Sequence, residues 1–251
     1  MSDRSKKMIN LFGIQFRNHN GESVVRSVAD SQELKTSIHL IAVSTLVESK
    51  KNKDLALLIN NGIAVCDSKI LEKVLKVFFP KFMRIRGVDF LRIFISMDSS
   101  KNRHFLLGGE NTTLEQMVRK LKLQNPNINI SGTYSPPFAE NIDMKRCTDI
   151  IKETDANVIW VSLGSPKQDY VASYLSDTLK IRAIAIGAAF DFYSDRKKEA
   201  SLRWQNSGFE WLFRFISEPK RLWRRYLLGN SYFLIHLPLE LIKNLKWKVK
   251  V

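Results

Sequence analysis

The sequence predicts an α/β fold built on a doubly wound, mostly parallel sheet, with a basic helical segment at its carboxyl end. Short apolar runs alternate along the chain with longer amphipathic segments, which is the pattern of strand-helix-strand units. The 251 residues are 44% hydrophobic and 26% charged, which is enough to bury a sizeable core. After about residue 195 the composition becomes strongly basic and aromatic.

Six short runs, rich in β-branched or aromatic residues, predict the strands in order: 38–43, 62–66, 104–109, 127–131, 157–163 and 182–187. The longer segments between them predict helices, notably over 46–60, 112–124 and 144–155. Since strands joined through helices pair in parallel, the runs should form one parallel sheet.

The stretch GSPKQD, residues 164–169, follows one of these strands and precedes a helical segment. Ser165 is predicted as the N-cap of that helix and Pro166 as its first residue. Loops of this kind gather at the carboxyl ends of parallel strands, where ligands bind, and a helix N-terminus offers N–H groups to an anion. A plain turn without a ligand is the alternative.

The formal net charge is +15 and the pI is near 9.8, which indicates an acidic partner: nucleic acid, an anionic membrane or a phosphorylated substrate. Only Cys66 and Cys147 are present, so a disulfide framework is not expected and a reducing compartment fits. The chain shows neither a signal-peptide run nor an apolar run long enough to span a bilayer, which predicts a cytoplasmic protein.

The carboxyl end concentrates the positive charge. Between residues 196 and 251 there are 13 Lys and Arg residues against 4 Glu, interleaved with four of the chain's Trp residues. This composition suits a helical surface lying on anionic lipid, and residues 226–245 are apolar enough to lie at the interface. The predicted division is therefore a core over 1–195 and a basic amphipathic appendage over 196–251.

Three arginines of this segment, Arg214, Arg221 and Arg224, are spaced by seven and by three residues, which places them on one helical face, although Pro219 breaks the helix between the first two. Such guanidinium groups could clamp a pyrophosphate. A solvated basic face or a nucleic-acid patch is the alternative.

Three motifs in this order, VSLGSPKQD, IGAAFDF and GFEWLFRFISEPKRLWRRYLLGNSYF, resemble the WecG/TagA/CpsF family of bacterial glycosyltransferases, glycosyltransferase family 26. The resemblance implies a Rossmann-like core with a membrane-docking appendage. It implies a UDP-sugar-dependent hexosyltransferase that uses no metal or cofactor and inverts the sugar's configuration. The donor sugar would be of the N-acetylmannosamine type, the acceptor a polyprenyl-diphosphate-linked glycan on the inner face of the plasma membrane, and the product a cell-surface polysaccharide. Self-association away from the membrane is also implied.

The resemblance also implies roles for individual residues. Asp67 would be the catalytic base, and Arg84 would hold a substrate phosphate. The donor loop would supply Ser165, Lys167 and Gln168, and the appendage would supply Arg214, Arg221 and Arg224 to neutralise the leaving diphosphate. The family's T-x-N motif falls on Ser44-Thr45-Leu46, where the hydroxyl of Ser44 or Thr45 would replace the Asn contact, and Ser68 stands where the family has Gly.

Other classes of protein stay open at this point. A catalytically weakened or silent membrane-associated paralogue would keep the appendage and could bind UDP or a lipid-linked glycan. A nucleic-acid-binding protein would explain the charge, but no RNP, zinc-finger or helix-turn-helix pattern is present, so no nucleic-acid partner is predicted. A metal-dependent glycosyltransferase would need a D-x-D pair, and no two Asp residues of the chain have that spacing.

Overall fold

The computed structural model describes residues 8–31, 33–98, 101–138, 141–223 and 227–249. The strands are β1 (Met8–Leu11), β2 (Ile14–Arg17), β3 (Ser37–Ile41), β4 (Ile63–Cys66), β5 (Arg103–Gly108), β6 (Asn129–Tyr134), β7 (Val158–Ser162) and β8 (Arg182–Ala185). The helices of the first half are α1 (Gly21–Asp30), α2 (Val43–Lys51), α3 (Lys53–Asn61), α4 (Lys69–Leu75), α5 (Gly87–Ser96) and α6 (Asn111–Gln124). Those of the second half are α7 (Met144–Lys152), α8 (Lys167–Leu179), α9 (Ala189–Tyr193), α10 (Leu202–Ser207), α11 (Glu210–Ser217), α12 (Pro219–Trp223) and α13 (Gly229–Val249).

The six predicted strands form one parallel sheet in the order β4-β3-β8-β7-β5-β6. The central strands are buried on both faces, as their mostly apolar sequences predict. Helices α1, α5, α6 and α9 pack on one face, where Trp160 meets Phe94 with ring centroids 4.9 Å apart, and α3, α7 and α8 cover the other. The predicted Rossmann-like α/β fold is therefore confirmed.

Two local predictions were incomplete. Residues 8–17 form the antiparallel hairpin β1–β2, which has no continuous apolar run because buried and exposed residues alternate along its strands. The single helix predicted over 46–60 is two helices, because the Asn52 side chain accepts hydrogen bonds from the backbone N–H groups of Asp54 and Leu55 and so starts α3.

The carboxyl-terminal segment folds back onto the core. Helix α11 ends before Pro219 and α12 begins there, as the sequence predicts. Helix α13 packs on the hairpin and on α2, where the Phe233 ring stacks on Phe12 at 5.4 Å. Its opposite face exposes large apolar side chains, namely Leu234, Ile235, Leu239, Ile242 and Leu245. Among the described helices, none is long and apolar enough to cross a membrane.

Glu240 joins α13 to the core through two charge-assisted contacts. Its carboxylate accepts hydrogen bonds from the backbone N–H of Phe12 at 3.2 Å and from the Lys50 ammonium at 2.9 Å. Burial alone would raise the pKa of Glu240, but Lys50, the Phe12 N–H and Lys243 outweigh it and hold the pKa below its ordinary value. The ionised form therefore stabilises the folded chain.

We expect Glu240→Gln to lower the free energy of unfolding by about 1–3 kcal/mol at neutral pH, because the bonds lost involve a charged group. A depressed folded-state pKa gives stability that is present at neutral pH and is lost as the pH falls through that pKa. Urea unfolding of both proteins between pH 7 and pH 3 measures the difference, which should narrow in acid. A difference that stays constant with pH would contradict the role given to the charge.

Candidate active site

A cleft of about 1080 Å³ runs along the carboxyl edge of the parallel sheet. Each of the six strands sends residues into it from the loop that follows the strand, and α11 and α12 cover it from the carboxyl-terminal segment. The residues from these loops include Ala42 after β3, Asp67 after β4, Gly109 after β5, Ser135 after β6, Ser165 after β7 and Gly187 after β8, and Thr45 joins them from the first turn of α2. This edge is where open α/β sheets bind their ligands.

Asp67 stands at the point where β4 ends. Its backbone N–H donates to the carbonyl of Ile41 at 3.0 Å, and its carbonyl accepts from Arg84 at 2.9 Å. Its Oδ1 accepts from the backbone N–H of Gly87 at 3.1 Å. Its other carboxylate oxygen, Oδ2, makes no hydrogen bond within the described residues, and the side chain lines the cleft. A fixed carboxylate with one free oxygen is suited to accept a proton from a ligand.

Gly87 allows this arrangement because α5 starts directly against the end of β8. A Cβ atom at this position would lie 2.3 Å from the carbonyl oxygen of Ile186. Only glycine lets the backbone N–H come close enough to hold Asp67 while the helix packs on the sheet.

Arg84 lies behind the cleft wall and is absent from its lining. Besides its bond to Asp67, it donates to the carbonyl of Gln205 at 3.0 Å and lies 3.5 Å from the Glu210 carboxylate. These contacts tie the loop after β4 to α10 and α11. The predicted contact of Arg84 with a substrate phosphate stays a prediction.

Arg86, which the sequence analysis did not single out, lines the cleft instead. It bonds to Glu199 and to the side chain of Gln205, and it lies 3.5 Å from Glu210. Burial alone would lower the pKa of Arg86, but the hydrogen bond to Glu199 and the charges of Glu210 and Asp89 outweigh it and raise the pKa above its ordinary value. The only signal for it was its place two residues after Arg84.

The GSPKQD loop lies in the cleft, but its helix begins differently from the prediction. Helix α8 starts at Lys167, with Pro166 at the N-cap position, and Ser165 does not cap it. The Ser165 hydroxyl donates instead to the Asp169 carboxylate at 2.7 Å, which takes the group away from the helix N–H groups. The prediction of Ser165 as N-cap was therefore wrong.

Lys167 and Gln168 are the first two residues of α8, and they make different contacts at the cleft. Gln168 is buried at the cleft wall, and its side-chain oxygen accepts from the backbone N–H of Gly187 at 3.0 Å, which fixes the loop after β8. Gly187 has φ of +65°, a conformation that a side chain would strain. The Lys167 ammonium lies 5.6 Å from the centroid of the exposed Phe138 ring, also in the cleft lining.

The side chains of the Ser44-Thr45-Leu46 motif, all on α2, lie in different surroundings. Thr45 lines the cleft, and its hydroxyl lies 3.2 Å from that of Ser165. Leu46, on the same helix α2, is fully buried in the core. Ser44 is not among the residues that line the cleft. Of the two hydroxyls that could replace the motif's Asn, Thr45 is therefore the one within reach of a ligand.

Arg214 brings a positive charge from α11 to the cleft. Its guanidinium lies 4.7 Å from the centroid of the Phe192 ring, and its buried Nε makes no hydrogen bond within the described residues. Among those residues it also has no acidic partner, so its charge is available to an anion. The side chain of Arg221 and the whole of Arg224 lie outside the described residues.

A buried histidine-carboxylate pair, which the sequence does not predict, lies below the loop. His39 on β3 and Asp169 on α8 are fully buried, and Nδ1 lies 3.0 Å from Oδ1. The His39 Nε2 atom lies 2.9 Å from the hydroxyl of Ser37. Sequence spacing gave no sign of this pair, since 130 positions separate its members.

Within the residues that the structure describes, the cleft thus combines a carboxylate oxygen without a hydrogen bond, a wall of hydroxyl and amide groups, and an arginine without an acidic partner. That set suits a reaction in which a hydroxyl loses a proton while an anionic group leaves. The comparison with known families agrees in kind: the model of the glycosyl transferase WecG/TagA/CpsF family matches residues 9–247.

Proposed function

Since the chain belongs to the WecG/TagA/CpsF family of glycosyltransferases, we propose that it transfers a hexose of the N-acetylmannosamine type from a UDP-sugar to a polyprenyl-diphosphate-linked glycan. The reaction would invert the anomeric configuration, use no metal, and serve the synthesis of a cell-surface polysaccharide.

The position of Asp67 carries this proposal. Its Oδ1 is held by the Gly87 N–H, its Oδ2 makes no hydrogen bond within the described residues, and the side chain lines the cleft. In an inverting transfer this oxygen takes the proton of the acceptor hydroxyl as that oxygen attacks the anomeric carbon. The bond between the anomeric carbon and the phosphate oxygen breaks on the opposite face, and UDP leaves. One carboxylate is enough for this step.

The leaving diphosphate needs positive charge, and the cleft supplies it from several elements. Arg214 lies over Phe192 without an acidic partner among the described residues, and Lys198 lines the same cleft with its side chain exposed. Negative charge grows on the diphosphate as the bond breaks, so these groups would stabilise the transition state more than the bound donor. This is how the reaction could proceed without a divalent ion.

The exposed apolar face of α13 supports a role at a membrane surface. Leu227 and Leu228, just before this helix, are also exposed, and the surrounding segment of residues 196–251 is strongly basic. An apolar face flanked by Lys and Arg favours docking on anionic lipid. We therefore propose that residues 196–251 are a docking appendage, and that the protein is peripheral on the inner face of the plasma membrane.

The test is release of UDP from a panel of UDP-sugars, with a synthetic polyprenyl-diphosphate sugar held in phosphatidylglycerol vesicles and EDTA present. We expect release that depends on the acceptor, with one N-acetylhexosamine donor preferred. Loss of release in EDTA that Mn²⁺ restores would contradict the metal-free mechanism. Binding of UDP without any transfer would instead favour a silent paralogue.

A further inference from the structure

The buried pair of His39 and Asp169 reaches the cleft through a chain of hydroxyl groups. Asp169 sits in the first turn of α8, with Oδ1 facing His39 at 3.0 Å and Oδ2 accepting from Ser165 at 2.7 Å. The Ser165 oxygen lies 3.2 Å from the hydroxyl oxygen of Thr45. Ser165 is half-buried and Thr45 is buried, and both are among the residues that line the cleft, whereas the fully buried His39 and Asp169 are not.

The direction of each hydrogen bond in the series Thr45, Ser165, Asp169 follows from the carboxylate at its end. A carboxylate has no proton to donate, so the single proton of Ser165 points at Asp169. The contact between Ser165 and Thr45 must then be donated by Thr45. Both hydroxyl groups have therefore used their protons inside the protein, and each presents only lone pairs to the cleft.

We infer that the His39–Asp169 pair sets the hydrogen-bond polarity of the Thr45–Ser165 corner, so that this corner binds a donor group of the transferred sugar, a hydroxyl or an acetamido N–H. The inference rests on the proposed function, since it assigns one part of the UDP-sugar to one part of the cleft. His39 and Asp169 are positioning residues in this scheme, because they act through Ser165 and do not reach the ligand.

The corner's polarity also excludes the diphosphate from it. Ionised phosphate oxygens accept hydrogen bonds and have no proton to give to Thr45 or Ser165. Arg214, which has no acidic partner within the described part of the chain, lies on another element, α11, and its charge suits the phosphates. Thr45 follows β3 and Asp67 follows β4, which are neighbouring strands. The corner is therefore beside the catalytic carboxylate, where the sugar must lie.

The test measures binding of UDP, UDP-N-acetylmannosamine and analogues that each lack one hydrogen-bond donor. The analogues carry fluorine in place of the C3, C4 or C6 hydroxyl, or an acetyl ester in place of the acetamido group. In the wild-type chain, we expect one analogue to bind about three- to tenfold more weakly than the parent, the effect of one lost hydrogen bond. In Thr45→Val, the affinity for UDP-N-acetylmannosamine should fall by a similar factor, and the affinity for that analogue should not fall further. The affinity for UDP should stay within about twofold of the wild-type value.

The control for fold is Thr148→Val. Thr148 is another buried threonine, on α7, whose hydroxyl donates to the carbonyl of Met144 at 2.8 Å outside the cleft. It should match Thr45→Val in stability and bind every ligand like the wild type. If all analogues bind the wild type like the parent, or if the analogue difference persists in Thr45→Val, the inference is wrong. If the wild type binds no UDP-sugar, the proposed function fails and takes the inference with it.

A second pair of variants tests polarity against charge. In Asp169→Asn, the amide oxygen can still accept from Ser165 and the amide N–H can donate to the His39 Nδ1, with the imidazole proton moved to Nε2. In Asp169→Ala, Ser165 has no acceptor. We expect the Asn variant to restore most of the UDP-N-acetylmannosamine affinity that the Ala variant loses. Equal losses in two folded variants would overturn the role given to hydrogen-bond polarity.

Discussion

Asp67→Asn should lower kcat of sugar transfer by about 10²–10⁴-fold, the range typical of a lost general base, while UDP-sugar binding changes little. The amide keeps an oxygen that can accept the Gly87 N–H, so the loop after β4 keeps its position. What disappears is the negative charge of the carboxylate, whose Oδ2 makes no hydrogen bond within the described residues. Steady-state UDP release with the lipid-linked acceptor gives kcat, and calorimetric titration of UDP gives binding.

The matched control is Asp177→Asn, which removes the same charge from an exposed position on α8 outside the cleft lining. It should leave turnover unchanged. If Asp67→Asn binds UDP normally and still transfers sugar at the wild-type rate, Asp67 is not the base. The next carboxylate in the cleft to consider would be Glu210, which contacts Arg84 and Arg86.

The sheet was predictable because its signal is local. Strands buried on both faces, such as β7 with Trp160 and Val161, need continuous apolar runs, and such runs are visible in the sequence. The hairpin β1–β2 has short, half-exposed strands whose core contacts include residues of α13 far along the chain, such as Glu240 on Phe12. A local sequence pattern does not predict a contact between residues that are 228 positions apart.

The site divided in the same way. Asp67 directly follows β4 and Gln168 lies in the first turn of α8 after β7, so the rule that loops meet at the carboxyl edge of a parallel sheet predicts that both lie in one cleft, and the structure places both there. Ser165 does not cap the helix because its hydroxyl donates to Asp169. The other carboxylate oxygen of Asp169 contacts His39, in a strand 130 positions away, and the local sequence does not show this pairing. Arg86 lines the cleft and Arg84 does not, since only the fold decides which of two nearby arginines faces it.

Arg214→Ala should lower kcat/KM for the UDP-sugar by about 10²–10³-fold, the cost typical of removing one group that stabilises developing charge. The guanidinium is held over Phe192 and has no acidic partner within the described residues, so it is oriented before the ligand arrives. Arg214→Lys should recover only part of this loss, because an ammonium keeps the charge but loses the planar fork that pairs two phosphate oxygens.

The control for charge is Arg119→Ala, which removes an exposed arginine from α6 outside the cleft lining and should leave kcat/KM unchanged. The two parameters separate the interpretations. A fall in kcat shows that Arg214 acts on charge that develops as UDP leaves, whereas a rise in KM with unchanged kcat reduces it to a donor-binding group. If a folded Arg214→Ala protein has the wild-type kcat and KM, Arg214 does not act on the donor, and the positive charge that stabilises the diphosphate must come from the core.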